Sequence, residues 1–133
     1  WGYVKIYDNN KNLLGIYING QDFKNEKNFL TDHSISFQVG TFNLDQGSII
    51  QRHVHNEYER KIFKTSEALF MIDGKIKVDL YDKENVFIET VIIQNGEIIV
   101  MLVGGHSIEI LEDSKFVEVK PGPYEENSDK NHF

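Results

Sequence analysis

The chain is cut into short runs in which apolar and polar residues alternate, each closed by a turn signal, and this pattern limits the fold more than any other feature. Tyr3–Tyr7 alternates, Asp8-Asn9-Asn10-Lys11-Asn12 forms a polar turn, and Leu13–Ile18 returns as the second arm of a hairpin. Asn19-Gly20, Asp73-Gly74 and Asn95-Gly96 are dipeptides of the kind that close tight turns. The remaining runs are Ser34–Leu44, Glu67–Ile72, Lys75–Tyr81, Val86–Gln94, Ile98–Val103, His106–Leu111 and Lys115–Lys120. Asp73-Gly74 reads as a hairpin turn between Glu67–Ile72 and Lys75–Tyr81, and Asn95-Gly96 as a second hairpin turn. Glu112-Asp113-Ser114 reads as a further turn. Residues 21–32 read as irregular, with Phe23, Phe29 and Leu30 as anchors. No long stretch has a 3.6-residue period, so the expected class is all-β, a sandwich or barrel of about ten strands.

Composition narrows the chemistry. The 133 residues suffice for one domain with its own core. There is no cysteine, so a metal would be held by His, Asp or Glu. The net charge of −7, spread along the chain, argues against nucleic acid and against anionic membrane surfaces. No apolar run approaches the roughly 20 residues of a membrane-spanning helix, and no signal peptide is recognisable, so the expected location is cytoplasmic.

The residues that carry chemistry cluster between Gly47 and Gly74, with an answer at Gly104-Gly105-His106. If His53 and His55 lie on a strand, they point to one face. Taken alone, an H-x-H pair is as readily a solvated pair as a ligand pair. Facing an interior, two imidazoles need partners, and a metal satisfies both. Glu67 heads the next apolar run and shares a face with Leu69 and Met71. Glu59 lies in a charged stretch from Glu57 to Lys61, the composition of a solvated loop. Arg52 alternates away from the His pair. His33 and His132 stand apart from it in sequence and read as surface residues. No phosphate-binding loop and no nucleophile elbow is present in the sequence.

On these residues the chain resembles a cupin. The first cupin motif, G-x5-H-x-H-x(3,4)-E-x6-G, is matched by Gly47, His53 and His55, and again by Glu67 and Gly74. Eleven residues separate the two halves where the family has three or four. Glu59 meets the shorter spacing from His55, but Ser66 then stands where the motif has glycine. The second motif, G-x5-P-x-G-x2-H-x3-N, is followed loosely by Gly96, Gly104 and His106, with Leu102 for proline, Ile110 for asparagine and one residue fewer before the histidine.

The resemblance covers residues 34–120 and implies a double-stranded β-helix, the cupin or jelly-roll barrel, over 34–124. An N-terminal β-hairpin and connector (1–33) would pack on it, and a polar tail (125–133) would follow. It implies His53, His55, Glu67 and His106 as ligands of a divalent Fe, Mn, Ni or Zn ion, with Glu67 preferred to Glu59 as the carboxylate. It further implies a small polar substrate such as a sugar or sugar derivative, isomerised or epimerised with Glu59 as base, or Glu67 if that carboxylate is not bound to the metal. A dioxygenase and a non-catalytic binding protein are the alternatives. A homodimer is expected, with the N-terminal hairpin edge in need of cover.

Overall fold

The computed structural model describes residues 2–21, 23 and 26–133. Among them there are eight strands and no helix, and no helix is long and apolar enough to cross a membrane. Two units are distinguished, one of Trp1–Asp22 with Lys64–Phe133 and one of Phe23–Phe63.

The first unit is an antiparallel sheet. The strands β1 (Tyr3–Tyr7) and β2 (Leu13–Ile18) form the expected hairpin. Asp8 fixes its turn by accepting the backbone N–H groups of Asn10 and Asn12, each at 2.8 Å. The hairpin joins the sheet through β2, which pairs with β7 (Ile98–Met101). Next comes β5 (Glu67–Tyr81), flanked on one edge by β7 and then β6 (Phe87–Gln94), and on the other by β8 (Gly105–Val119).

None of three expected turns reverses the chain. β5 runs unbroken through Asp73-Gly74 for 15 residues, and β8 runs unbroken through Glu112-Asp113-Ser114 for 15. Asn95-Gly96 does not close a hairpin either, because β6 and β7 pair with successive parts of β5 in the same direction. The three irregularities lie side by side and form one crease across three strands. Gly74 donates its N–H to Asn95 Oδ1 at 2.6 Å, and Asn95 Nδ2 donates to Asp73 Oδ1 at 3.2 Å. Gly96 N–H donates to Met71 O at 2.9 Å, and Met71 N–H to Glu97 O at 3.0 Å. On the far side, Ser114 Oγ accepts the Lys75 N–H at 3.1 Å and donates to Glu112 O at 2.7 Å. A β-bulge kinks a strand while its neighbours take up the displaced hydrogen bonds, and dipeptides such as Asp-Gly suit that conformation as well as a hairpin.

The crease also decides which side chains enter the core. Before it, Leu69 and Met71 are buried; after it, Ile76, Val78 and Leu80 are. Strict alternation from Leu69 would instead have turned Asp73, Lys75, Lys77 and Asp79 inward. The displaced register keeps those charges out and lets one core form from Ile6, Leu69, Met71, Ile76, Val78, Leu80, Ile93, Ile99 and Met101.

The sheet is curled, and chain connectivity requires it. β7 ends at Met101 opposite Glu67, whereas β8 begins at Gly105 opposite Tyr81. Only residues 102–104 join them, a link of at most about 14 Å. A straight 15-residue strand would be roughly 45–50 Å long, so the two ends of β5 must curve toward each other. Glu97 ties the crease to the hairpin: its carboxylate accepts the Gln94 N–H at 2.7 Å and the Tyr17 hydroxyl at 2.5 Å. Burial, and then the Glu97 carboxylate, push the Tyr17 phenol up to about 12.

In the second unit, β3 (Glu26–Phe29) pairs with β4 (Gly40–Asn43). β3 falls within the stretch expected to be irregular, and the expected strand Ser34–Leu44 is reduced to its last residues. Asp32 holds the rest in a turn, accepting Ser34 N–H at 2.9 Å and Ser34 Oγ–H at 2.6 Å. The expected strand around His53 and His55 is absent: residues 44–66 form no strand. Strand alternation therefore does not orient those two imidazoles.

Gly74 sits at φ +116°, and a Cβ there would collide with Asp113 O and Ser114. Gly96, at φ +77°, faces open space. Gly74→Ala is expected to cost about 2–4 kcal/mol, from backbone strain plus overpacking. Gly96→Ala should cost about 1 kcal/mol, from the backbone alone. Urea unfolding of both variants measures the difference, and equal losses would contradict the crease.

Candidate functional site

Glu67 is the first residue of β5. The preceding residue, Ser66, is buried and donates its hydroxyl to Leu102 O at 2.9 Å, which fixes the entry to the strand. Glu67 has the same phase as Leu69 and Met71, so its carboxylate points to the core face. His106 lies second in β8, in register with buried Leu80, and so faces the same side. Gly104 makes the approach to β8 possible: it takes φ +80°, and a Cβ there would strike Tyr81 O.

Curling of the sheet brings these two residues, from opposite ends of the β5–β8 ladder, into contact. His106 Nε2 lies 3.2 Å from Glu67 Oε2, with the Glu67 side chain 12 % exposed and His106 30 % exposed. Lys120 Nζ is 4.0 Å from Glu67 Oε1 and 3.4 Å from Asp129 Oδ2. Glu118, in register with Leu69, faces the same side. The hydrogen bond from His106 is the main cause holding the Glu67 carboxyl below its ordinary value, with Lys120 adding to it and burial opposing it. Burial tends to lower the Lys120 ammonium, but Glu118, Asp129 and Glu67 outweigh it and raise it.

The other expected ligands lie in the second unit. The His53 and His55 rings are 5.1 Å apart and edge-on at 78°. His53 Nδ1–H donates to Gln51 O at 2.7 Å, since a carbonyl can only accept. In the neutral ring that bond leaves the Nε2 lone pair available, the arrangement in which metal-ligating histidines are usually held. Glu59 is exposed on the same segment, beside Arg60, whose guanidinium lies over the Tyr58 ring at 3.8 Å.

Within the first unit, then, the structure joins Glu67 to His106; within the second, it places His53 beside His55. Among the described residues, neither unit gathers three His, Asp or Glu side chains into a group able to hold a metal. The donor types nevertheless fit one. Imidazole nitrogen and carboxylate oxygen each about 2.1 Å from a common ion stand roughly 3 Å apart, and Glu67 and His106 already have that spacing.

Sequence reasoning missed the cations and acids around this pair. Lys120 reads as the last residue of the run Lys115–Lys120, and Asp129 as part of the polar tail. That tail meets its own chain: Asp129 reaches Lys120, and the Phe133 ring stacks edge-on against Tyr81 at 5.2 Å. Glu118 carries a usable signal, because two residues on from half-buried Phe116 it shares that residue's strand face. No local motif marks Asp129. No family model, no curated protein and no solved structure matches the chain.

Because its folded-state value is depressed, Glu67 contributes stability that is present above its ordinary value of 4.5 and lost as pH falls through the depressed one. Wild type should therefore melt above Glu67→Gln at pH 6, and the gap should close on acidification below pH about 4. A gap that is constant from pH 6 to pH 3 would contradict the Glu67–His106 pairing.

Proposed function

We propose that the chain is a small cupin-type protein, its curled sheet part of a double-stranded β-helix. In this reading His53, His55, Glu67 and His106 bind one divalent ion (Fe, Mn, Ni or Zn), and the substrate is a small polar molecule, a sugar or sugar derivative. The observation that carries the reading is the convergence of Glu67 and His106. They come from strand ends far apart in sequence, yet meet half-buried on the core face at 3.2 Å.

The reaction class that fits is isomerisation or epimerisation. When bound, a divalent ion supplies Lewis acidity toward adjacent substrate oxygens, which makes the neighbouring C–H acidic. Glu59 is the proposed base. It takes that proton and returns it to the adjacent carbon for isomerisation, or to the opposite face of the same carbon for epimerisation. His53 is held by the Gln51 carbonyl so that Nε2 can ligate. Lys120 neutralises part of the acidic surround of Glu67.

Elemental analysis of protein purified without chelator tests the ligand set. About one metal per chain is expected, falling below roughly 0.1 in the double variant His53→Ala, His55→Ala. Glu67→Gln and His106→Ala should each weaken metal binding at least about tenfold. Glu59→Gln should retain the metal and lose about 100-fold or more in turnover. Unchanged metal content in the double histidine variant would remove the site.

A further inference from the structure

We infer that Asn19 is a site of spontaneous covalent modification: the Gly20 backbone nitrogen attacks its side-chain amide, and the residue converts to aspartyl and isoaspartyl forms. The chain holds two Asn-Gly dipeptides, Asn19-Gly20 and Asn95-Gly96, and the fold treats them in opposite ways. Their glycines share nearly the same backbone, with φ +74° at Gly20 and +77° at Gly96, and a Cβ on either would meet open space. Dipeptide and glycine conformation are thus matched. What differs is which of the reacting atoms the fold ties up.

The reaction makes three demands. The glycine N–H must be free to lose its proton, so that the nitrogen can attack. The amide oxygen needs a donor, because negative charge develops on Oδ1 as nitrogen adds to Cγ. Nδ2 must be free to leave. Asn19-Gly20 follows the end of β2 and meets all three. Gly20 is exposed, and its N–H has no acceptor among the described residues. Asn19 Oδ1 accepts the Gln21 N–H at 3.1 Å, so a donor already faces the oxygen that becomes negative. Asn19 Nδ2 makes no hydrogen bond among the described residues. At Asn95-Gly96 the crease occupies the same atoms. Gly96 N–H donates to Met71 O at 2.9 Å, and Asn95 Nδ2 donates to Asp73 Oδ1 at 3.2 Å. Asn95 Oδ1 accepts the Gly74 N–H at 2.6 Å, which fixes the side chain in the ladder. Attack there requires the crease to open first.

Water is the only co-reactant. Gly20 N gives its proton to hydroxide and bonds to Asn19 Cγ. The Cγ–Nδ2 bond then breaks, Nδ2 takes up a proton, and ammonia leaves behind a cyclic imide. Water opens the ring at Cγ to give aspartate, or at the main-chain carbonyl carbon to give isoaspartate, whose main chain runs through Cβ. Either product adds a negative charge to a chain whose net charge is already −7. Isoaspartate also lengthens the backbone by a methylene just before the first unit gives way, after Asp22, to the unit that carries His53 and His55. The chemistry is independent of any bound metal.

Peptide mapping of the folded chain, incubated at mildly alkaline pH, follows both sites by the mass gained when NH is exchanged for O. Methylation by an isoaspartyl methyltransferase identifies the isoaspartyl product. Loss of Asn19 is expected to run at least about tenfold faster than loss of Asn95, which waits on local opening. In denaturing urea the two rates should converge, because both dipeptides are then equally free. Equal rates in the folded protein, faster loss at Asn95, or a difference that survives unfolding at full size would overturn the inference.

Discussion

The fold depends on the crease at Gly74. A glycine at φ +116° lets β5 press against Asp113 and Ser114 of β8, and Asn95 caps the same point from the opposite side. β5, β8 and the β6–β7 junction thus change direction together, with Asn95, Gly96 and Ser114 supplying hydrogen bonds at the break in the ladder. A bulge in one strand alone would have broken two ladders. Matched irregularities in neighbouring strands convert the defect into a bend, and the bend into a curl.

Two consequences follow from the curl. The first concerns packing: the displaced phase puts Ile76, Val78 and Leu80 in line with Leu69 and Met71, so both arms of β5 feed one core. The second is chemical. Glu67 and His106 belong to opposite ends of the longest ladder in the molecule, and in a flat sheet they would lie tens of ångströms apart. Here they form a half-buried contact, with Lys120 and Asp129 extending it. Ser66 and Gly104, one at the entry to each strand, hold the approach.

Much of this was legible in sequence, and the errors have a common physical source. β1, β2, β6 and β7 fall close to where alternation puts them, Glu67 heads β5, and His106 stands second in β8. Asp73-Gly74, Asn95-Gly96 and Glu112-Asp113-Ser114 mark real irregularities. Glycine and its usual turn partners signal a change of backbone direction, but they do not say whether the chain reverses or only bends. Only the pairing of strands distant in sequence decides that. The Ser34–Leu44 run failed for a different reason, because Asp32 captures Ser34 in a local turn that competes with the ladder. The segment bearing His53 and His55 has β-like alternation and no partner strand among the described residues of its own unit beyond β3 and β4. Alternation states what a strand would bury, and a strand needs a neighbour to exist.

The curl brings Glu67 and His106 into contact, and a double-mutant cycle measures that contact directly. Unfolding free energies of wild type, Glu67→Gln, His106→Gln and the double variant at pH 6 give the coupling between the two side chains. A favourable coupling of about 1 kcal/mol is predicted for a partly buried pair at this distance. Additivity within about 0.3 kcal/mol would mean that the ends of β5 and β8 do not meet.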